Sequence, residues 1–187
     1  QCILFRRFLS QTCVVERGPL RRELDCLLRE VGVRRRVTLL LSPQDSEPVA
    51  FGLFHWRIVL PKGIEQTLPH DNLRALLAHE LAHLVRGDTV WLWVGRLLCS
   101  CCAFQPLNFL ARRRWQQAAE FQCDDWAVRH GATPLALARC LTEVAERRLV
   151  RPLAVPALPA GGAGSTLSKR VERLVRNDRQ TDPWTDG

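Results

Sequence analysis

The chain has 187 residues, the size of one domain, and 47% of them are hydrophobic, which is enough to build a buried core. Its 27 basic and 19 acidic residues give a net charge of +8, and the basic runs at 34–36 and 112–114 are all arginine. Such a surface favours an anionic partner, or serves solubility alone. No helix-turn-helix, zinc finger or basic face with interleaved aromatic residues accompanies these runs, which argues against nucleic acid as a partner.

The eight cysteines do not have the regular spacing of a disulfide framework. Cys99, Cys101 and Cys102 lie almost side by side in an apolar stretch and the others are scattered, so we expect free thiols in a reducing compartment. Cys99 and Cys102 have the Cys-x-x-Cys spacing, but there is no second such pair to complete a structural zinc site. We interpret these thiols as packing residues.

The first part of the chain predicts one helix and then a small sheet. Leucines recur at helical spacing over 18–31, and Gly32 stands near the end of that helix. Two stretches of apolar, β-branched or aromatic residues follow at 36–42 and 49–61, which predicts two or three short strands. We expect these strands to form a small antiparallel sheet.

The rest of the chain is predicted to be mainly helical. The pattern indicates helices at about 70–86, 89–104, 107–130 and 133–148. Gly131 is suited to ending the third of these, and Thr133 with Pro134 to beginning the fourth. Because strands come first and helices after, the fold class is predicted to be α+β.

An apolar stretch at 89–110 comes nearest to a membrane span. Arg96, Gln105, Pro106 and Asn108 interrupt it, so we predict a helix that lies at a membrane surface or is buried in the domain.

The chain begins at Gln1 and contains no methionine, so we expect a single domain, residues 1–187, excised from a longer protein. A flexible connector rich in Pro, Ala and Gly is predicted at about 150–164. A short helix should follow it, with Ser165 or Thr166 as its cap.

The segment "LLAHELAHLVRGD" at 76–88 carries the pattern H-E-x-x-H. On a helix, His79 and His83 are one turn apart and face the same way, so both imidazoles can bind one ion. Glu80 stands beside the first ligand, where its carboxylate can act as a general base toward water. The pattern also occurs by chance in helices that bind nothing, so a metal site needs a third ligand.

The segment "QQAAEFQCDDWAVRH" offers that third ligand. Glu120 and Asp124 are four residues apart on a helix, so Glu120 can bind the ion while Asp124 accepts the outer N–H of a ligating histidine. Cys123 is a competing ligand, because a thiolate binds zinc well. The spacing leaves both ligand sets open.

Four segments together resemble the BlaR/MecR-type zinc metallopeptidases, a membrane-associated family. "EPVAFGLFHWRIVLP" resembles the family's strand segment, and "LRALLAHELAHLVRGD" its H-E-x-x-H helix with a trailing aspartate, here Asp88. "FQPLNFLARRRWQQAAEFQCDDWAV" resembles its F-x-P element followed by E-x-x-C-D, and "STLSKRVERLV" its closing L-x-x-R-[IV] helix. Several motifs in this order are more specific than any one of them.

The resemblance implies a zincin-like, gluzincin-type peptidase domain. In that interpretation one Zn²⁺ is held by His79, His83 and Glu120, Glu80 is the general base, and Asp124 supports a ligand. Cys123 would then be a packing residue.

The resemblance also implies a place and a role. The domain would lie on the cytoplasmic face of the cell membrane, anchored by transmembrane helices, with its arginines toward anionic lipid. It would act in signalling as an endopeptidase on protein or peptide substrates, including itself and a cytoplasmic repressor. An extended substrate would add as a strand along 49–53, although plain hairpin packing is as compatible with that segment.

The donor that stabilises the oxyanion is a separate question, because the chain has no tyrosine. Arg170 matches the arginine of the closing helix and is our candidate, with His130 and His55 as alternatives. Related CAAX-processing peptidases carry a histidine a few residues before that arginine, where this chain has Leu167.

A function of another class is also compatible with these motifs. The domain could be a catalytically silent sensor or scaffold that keeps zinc for stability. The presence of Glu80 favours the enzyme, since a site without activity commonly loses its base first.

Overall fold

The structure is a computed structural model that describes residues 12–43, 47–101, 107–150 and 163–181. Its elements, in chain order, are β1 (Cys13–Val14), α1 (Pro19–Val31), β2 (Val37–Ser42), β3 (Val49–Phe51), β4 (Trp56–Pro61), α2 (Ile64–Thr67), α3 (His70–Arg86), α4 (Asp88–Cys101), α5 (Leu107–Arg129), α6 (Pro134–Val150) and α7 (Ala163–Thr181). The predicted α+β class is confirmed. The predicted connector lies outside the described residues except at its two ends, which belong to α6 and α7.

The four strands form one mixed sheet in the order β1-β2-β4-β3. β3 pairs antiparallel with β4, and β1 with β2, but β2 and β4 run parallel over six residue pairs from Val37↔Trp56 to Ser42↔Pro61. The prediction of a purely antiparallel sheet is therefore wrong. The reason is that β4 lies between β2 and β3, so the hairpin returns the chain in the direction of β2.

The two central strands are apolar almost throughout, as strands covered on both faces usually are. Together with α1, α3 and α6 they form the core. The largest fully buried side chains are Leu20, Leu24, Leu27, Val37, Leu39, Ile58, Val59, Leu60, Ile64, Leu77, Leu81 and Leu137. α3 lies at the centre and packs against α5, α6 and β3, so its motif residues are held from several sides.

Local signals account for most helix ends. Gly32 and Gly87 end α1 and α3 in the left-handed conformation, as glycine permits. Thr133 begins α6 as predicted, since its hydroxyl oxygen accepts a hydrogen bond of 3.2 Å from the backbone N–H of Ala136. α7 begins earlier than predicted, at Ala163, so Ser165 and Thr166 lie inside the helix and are not its caps.

The described part of the apolar stretch forms α4 and the start of α5, and it is largely exposed. Trp93, Leu97 and Leu98 are each more than half exposed. Leu107 and Leu110 on α5 are more than half exposed as well. Within the described ranges, no helix combines the length and the hydropathy that crossing a membrane requires.

The β3–β4 turn yields a stability prediction. A Cβ on Gly52 would lie 1.9 Å from the carbonyl oxygen of His55, and the residue has φ 131°. Gly18 has a similar φ of 121° but no atom within 4 Å of such a Cβ. Gly18→Ala should therefore cost only the backbone strain of about 1–3 kcal/mol, whereas Gly52→Ala should cost clearly more. Urea unfolding of both variants by circular dichroism measures the difference, and equal losses would contradict the described turn.

Candidate metal centre

The motif helix α3 is buried on nearly every side. Its apolar residues contact the sheet and the neighbouring helices, so His79 and Glu80, which follow Ala78, are carried into the interior with 4% and 6% exposure. His83 lies one turn later and is partly exposed. The two imidazole rings have centroids 4.9 Å apart and are nearly perpendicular, so each presents a nitrogen toward the same space.

Glu120 on α5 faces both imidazoles. Its Oε2 lies 3.5 Å from Nε2 of His79, and its Oε1 lies 3.9 Å from Nε2 of His83. One donor atom from each of the three residues lies within 4.8 Å of the other two. Burial opposes ionisation of Glu120, but His79, Arg170 and His83 outweigh it and lower its pKa to about 2. The carboxylate is therefore ionised, as a metal ligand must be.

Asp88, the first residue of α4, supports His83. The Nδ1 of His83 donates to Asp88 Oδ2 over 2.9 Å, and the other ring nitrogen, Nε2, faces Glu120. Burial opposes ionisation of Asp88, but its bonds with His83 and Cys123 prevail and lower its pKa. Asp88 thus acts on His83 as our sequence analysis expected Asp124 to act on a ligating histidine. The trailing aspartate of the motif was the available signal.

Asp124 on α5 lies behind His79. Its Oδ1 is 3.1 Å from Nδ1 of His79, but the two are not aligned as a hydrogen bond, and this buried nitrogen has no hydrogen-bond partner in the described part of the chain. Burial lowers the pKa of His79, but Asp124 and Glu120 more than compensate and raise it to about 9. A divalent cation would meet the same negative groups and displace that proton.

Arg170 on α7 joins the acidic groups. Its Nε and one Nη donate to the two oxygens of Asp124, both over 2.7 Å, and the other Nη lies 2.8 Å from Oε2 of Glu120. The guanidinium also comes within 3.4 Å of Nε2 of His79. This planar, two-bonded pairing fixes the position of Asp124 and one oxygen of Glu120.

Cys123 is also near the site but is engaged elsewhere. Its thiol donates to Asp88 Oδ2 over 3.2 Å and lies 3.3 Å from Nδ1 of His83, the nitrogen that faces away from Glu120. Burial and the neighbouring Asp88 carboxylate raise its pKa well above the usual range. The thiol lies on the side of His83 opposite the space between the two imidazoles and Glu120. Its Sγ belongs to a second group, with His83 and Asp88, that could also approach an ion.

Glu80 is buried beside the two histidines. Burial raises its pKa above the ordinary value, although His79, His83 and Arg170 act in the opposite direction. The alternative oxyanion donors lie in other settings. His130 donates to the carbonyl of Trp126 on its own helix and stacks on that indole, and His55 is exposed in the β3–β4 turn.

Comparisons with known proteins identify the family of the chain. The profile described as BlaR1 peptidase M56 matches residues 2–171. The chain belongs to this peptidase family. The resemblance that the motifs indicated is therefore confirmed, and membership supports a metallopeptidase-type function.

Individual relatives cover only part of the chain. The regulatory protein BlaR1 of Bacillus licheniformis is 30% identical over 95 residues, which are 51% of this chain and 16% of the relative. The methicillin resistance mecR1 protein of Staphylococcus aureus is 23% identical over 91 residues, 49% of this chain and 16% of the relative. The matched segment is thus about a sixth of these proteins.

A solved structure shares the fold over nearly the whole chain. The crystal structure of S. mikatae Ste24p aligns with a TM-score of 0.60 at 17% identity, covering 92% of this chain and 56% of the other. At this identity the likeness concerns the fold alone.

The donor set of this family member fits a zinc ion. Nitrogen and oxygen ligands at about 2.0–2.2 Å on a tetrahedral zinc lie about 3.3 Å from one another. The observed separations of 3.5 and 3.9 Å from the two imidazoles belong to different oxygens of Glu120, and one donor atom of each residue lies within 4.8 Å of the other two. Holding one ion would therefore require the three side chains to approach one another by up to about 1.5 Å. Three protein ligands leave the fourth position open, as catalytic zinc sites require.

The ligand set can be tested by metal content. We expect wild type to bind about one zinc per chain, Glu120→Ala to lose it, and Cys123→Ala to retain it, because the carboxylate faces both Nε2 atoms and the thiol does not. Inductively coupled plasma mass spectrometry of the dialysed proteins gives the stoichiometry. If Glu120→Ala retains zinc and Cys123→Ala loses it, Glu120 is not the third ligand.

Arg170 can be compared with Arg173, three residues later on the same helix. Arg170 pairs with the buried Asp124, whereas Arg173 pairs with the exposed Asp125 at 2.7 Å. Arg170→Met should lower the free energy of unfolding by about 3–5 kcal/mol, since it leaves a buried carboxylate unpaired. Arg173→Met should cost less than about 1 kcal/mol. Urea unfolding distinguishes the two, and similar losses would show that the Arg170 pair is not buried as described.

Proposed function

We propose that this chain is the catalytic domain of a zinc-dependent endopeptidase. The observation that supports it best is the convergence of His79, His83 and Glu120 within 4.8 Å, with Glu80 in the same turn of helix, in a member of a peptidase family. One bound Zn²⁺ would supply Lewis-acid activation of the peptide carbonyl and of water.

The protein residues would have distinct roles in hydrolysis. Glu80 accepts the proton of the attacking water and delivers it to the leaving amine. Asp88 holds His83 in the tautomer that directs Nε2 at the ligand space, and Asp124 is placed to do so for His79. Arg170 was our candidate oxyanion donor, but its contacts with Asp124 and Glu120 favour a positioning role.

The substrate backbone would pair with the edge strand β3. β3 is an edge strand of the sheet and packs beside α3, the helix that carries His79 and His83, which supports this assignment. The Thr89 hydroxyl reaches the carbonyl of Ala50 at 3.5 Å, a long contact that a substrate N–H can replace. An extended peptide on this edge would gain main-chain hydrogen bonds whatever its side chains are.

The biological setting is proposed from the relatives. Their names, a regulatory protein and a methicillin resistance protein, support a regulatory role. Cleavage of itself and of a cytoplasmic repressor is proposed from the family resemblance alone. We place the domain at the cytoplasmic face of the membrane within a membrane-anchored protein. The exposed apolar face of α4 and the neighbouring Arg113 and Arg114 suit contact with membrane segments and anionic lipid.

Glu80→Gln tests the mechanism directly. The variant should keep its zinc and lose cleavage of a peptide library by at least about 100-fold, since the amide cannot accept the proton. Glu146→Gln, on an exposed position of α6, is the matched control and should cleave as wild type does. Mass spectrometry of the library detects the products. If wild type binds zinc but cleaves nothing, the domain is a silent zinc module; if Glu80→Gln still cleaves, another group is the base.

A further inference from the structure

A cavity of about 180 Å³ opens directly beside the metal ligands. His83 and Glu120 form one end, and residues of α4 and α5, among them Trp91, Arg112 and Trp115, form the rest. Because two proposed ligands are part of its wall, a group that fills it lies next to the bond being cleaved. On the proposed peptidase function, that group is a substrate side chain.

The size of the cavity limits it to one side chain. An engineered protein cavity of about 150 Å³ holds one benzene molecule, so a space slightly larger than this holds one side chain of five or six heavy atoms. Trp91 and Trp115 contact each other with ring centroids 5.8 Å apart and form a continuous apolar wall. This wall can pack the aliphatic part of a side chain.

Arg112 makes the cavity more than an apolar pocket. Its Nε is buried and has no hydrogen-bond partner among the residues that the structure describes. The acidic residues of the same cavity already have partners, since Asp88 binds His83 and Cys123, and Glu120 pairs with Arg170. Arg112 is thus a positively charged residue in the cavity wall for which the structure describes no ion pair.

We propose that this cavity is a specificity pocket for an acidic side chain, glutamate in particular, adjacent to the scissile bond. The carboxylate accepts hydrogen bonds from Arg112, and the two methylenes pack on the Trp91–Trp115 wall. This assignment depends on the proposed peptidase function and adds the chemical class of its substrate.

The choice of an acidic side chain follows from the buried donor. A leucine in the cavity would remove water from the Arg112 guanidinium in the wall without offering a counter-ion, which is unfavourable. A glutamine would offer one neutral acceptor oxygen, whereas a carboxylate carries the opposite charge and can accept two parallel hydrogen bonds from a guanidinium. The net charge of +8 also favours encounter with acidic peptides.

The first test measures kcat/KM of the zinc-loaded protein on peptides that carry Glu, Gln, Leu or Lys in turn on each side of the cleaved bond. At one of these positions Glu should be preferred about 10- to 100-fold, the range expected for a bond to a charged group. Arg112→Met should remove the preference, and Arg112→Glu should transfer it to Lys. Arg114→Met, an exposed arginine on the same helix, should leave it unchanged.

A second variant distinguishes occupation of the pocket from long-range attraction. A Cβ on Gly95 would lie 4.0 Å from the ring of Trp115, an ordinary contact, so Gly95→Ala should be tolerated. Gly95→Leu would fill the cavity and should abolish the preference for Glu although Arg112 is intact. If Gly95→Leu keeps the preference, the side chain does not bind in this cavity and the proposal is wrong.

Binding separates this proposal from the proposed function. The same peptides are titrated by fluorescence anisotropy into zinc-loaded Glu80→Gln protein, which requires no turnover. Glu-dependent binding that Arg112→Met removes, without cleavage by wild type, supports the pocket and refutes the peptidase. Cleavage without preference for Glu refutes the pocket alone. Neither binding nor cleavage of any peptide refutes both.

Discussion

The pairing of Arg170 with Asp124 is the interaction on which the site depends. It joins two helices whose paired residues are 46 positions apart, and it places one positive charge among Glu80, Glu120 and Asp124. Three carboxyl groups in one interior would otherwise repel each other and resist burial. The charge of Arg170 lowers that cost and holds Glu120 toward the imidazoles. The last helix of the fold is therefore a structural part of the metal centre.

The sequence predicted what is encoded locally. α3 and α5 were predicted to within a residue of their observed ends, each with a glycine just after it, and the turn-spaced residues His79 and His83 had to share a face. The parallel pairing of β2 with β4 and the contacts of Asp88 and Arg170 were not predictable in this way. They depend on which distant segments meet in space, and no local pattern of residues specifies strand order or the reach of one side chain to another element.

Helix α4 has two different surfaces, and both bear on the proposed activity. Trp91 and Leu92 line the cavity beside the ligands, while Trp93, Leu97 and Leu98 are exposed on the same helix. A lipid or protein surface that covered this exposed apolar area would stabilise the helix. Because the cavity wall is part of this helix, a shift of α4 on its covering surface would change the shape of the cavity. The proposed membrane contact and the proposed side-chain specificity would then be coupled through one element.

Asp88 explains how a carboxylate can be the third ligand although a cysteine lies three residues away. The same Oδ2 accepts hydrogen bonds from the imidazole of His83 and from the thiol of Cys123. The first bond directs Nε2 of His83 toward Glu120, and the second holds the thiol on the opposite side of the ring. A thiol held there does not face the space between the two imidazoles and Glu120. One aspartate thereby orients a ligand and removes its competitor, which favours the His79, His83 and Glu120 set on physical grounds.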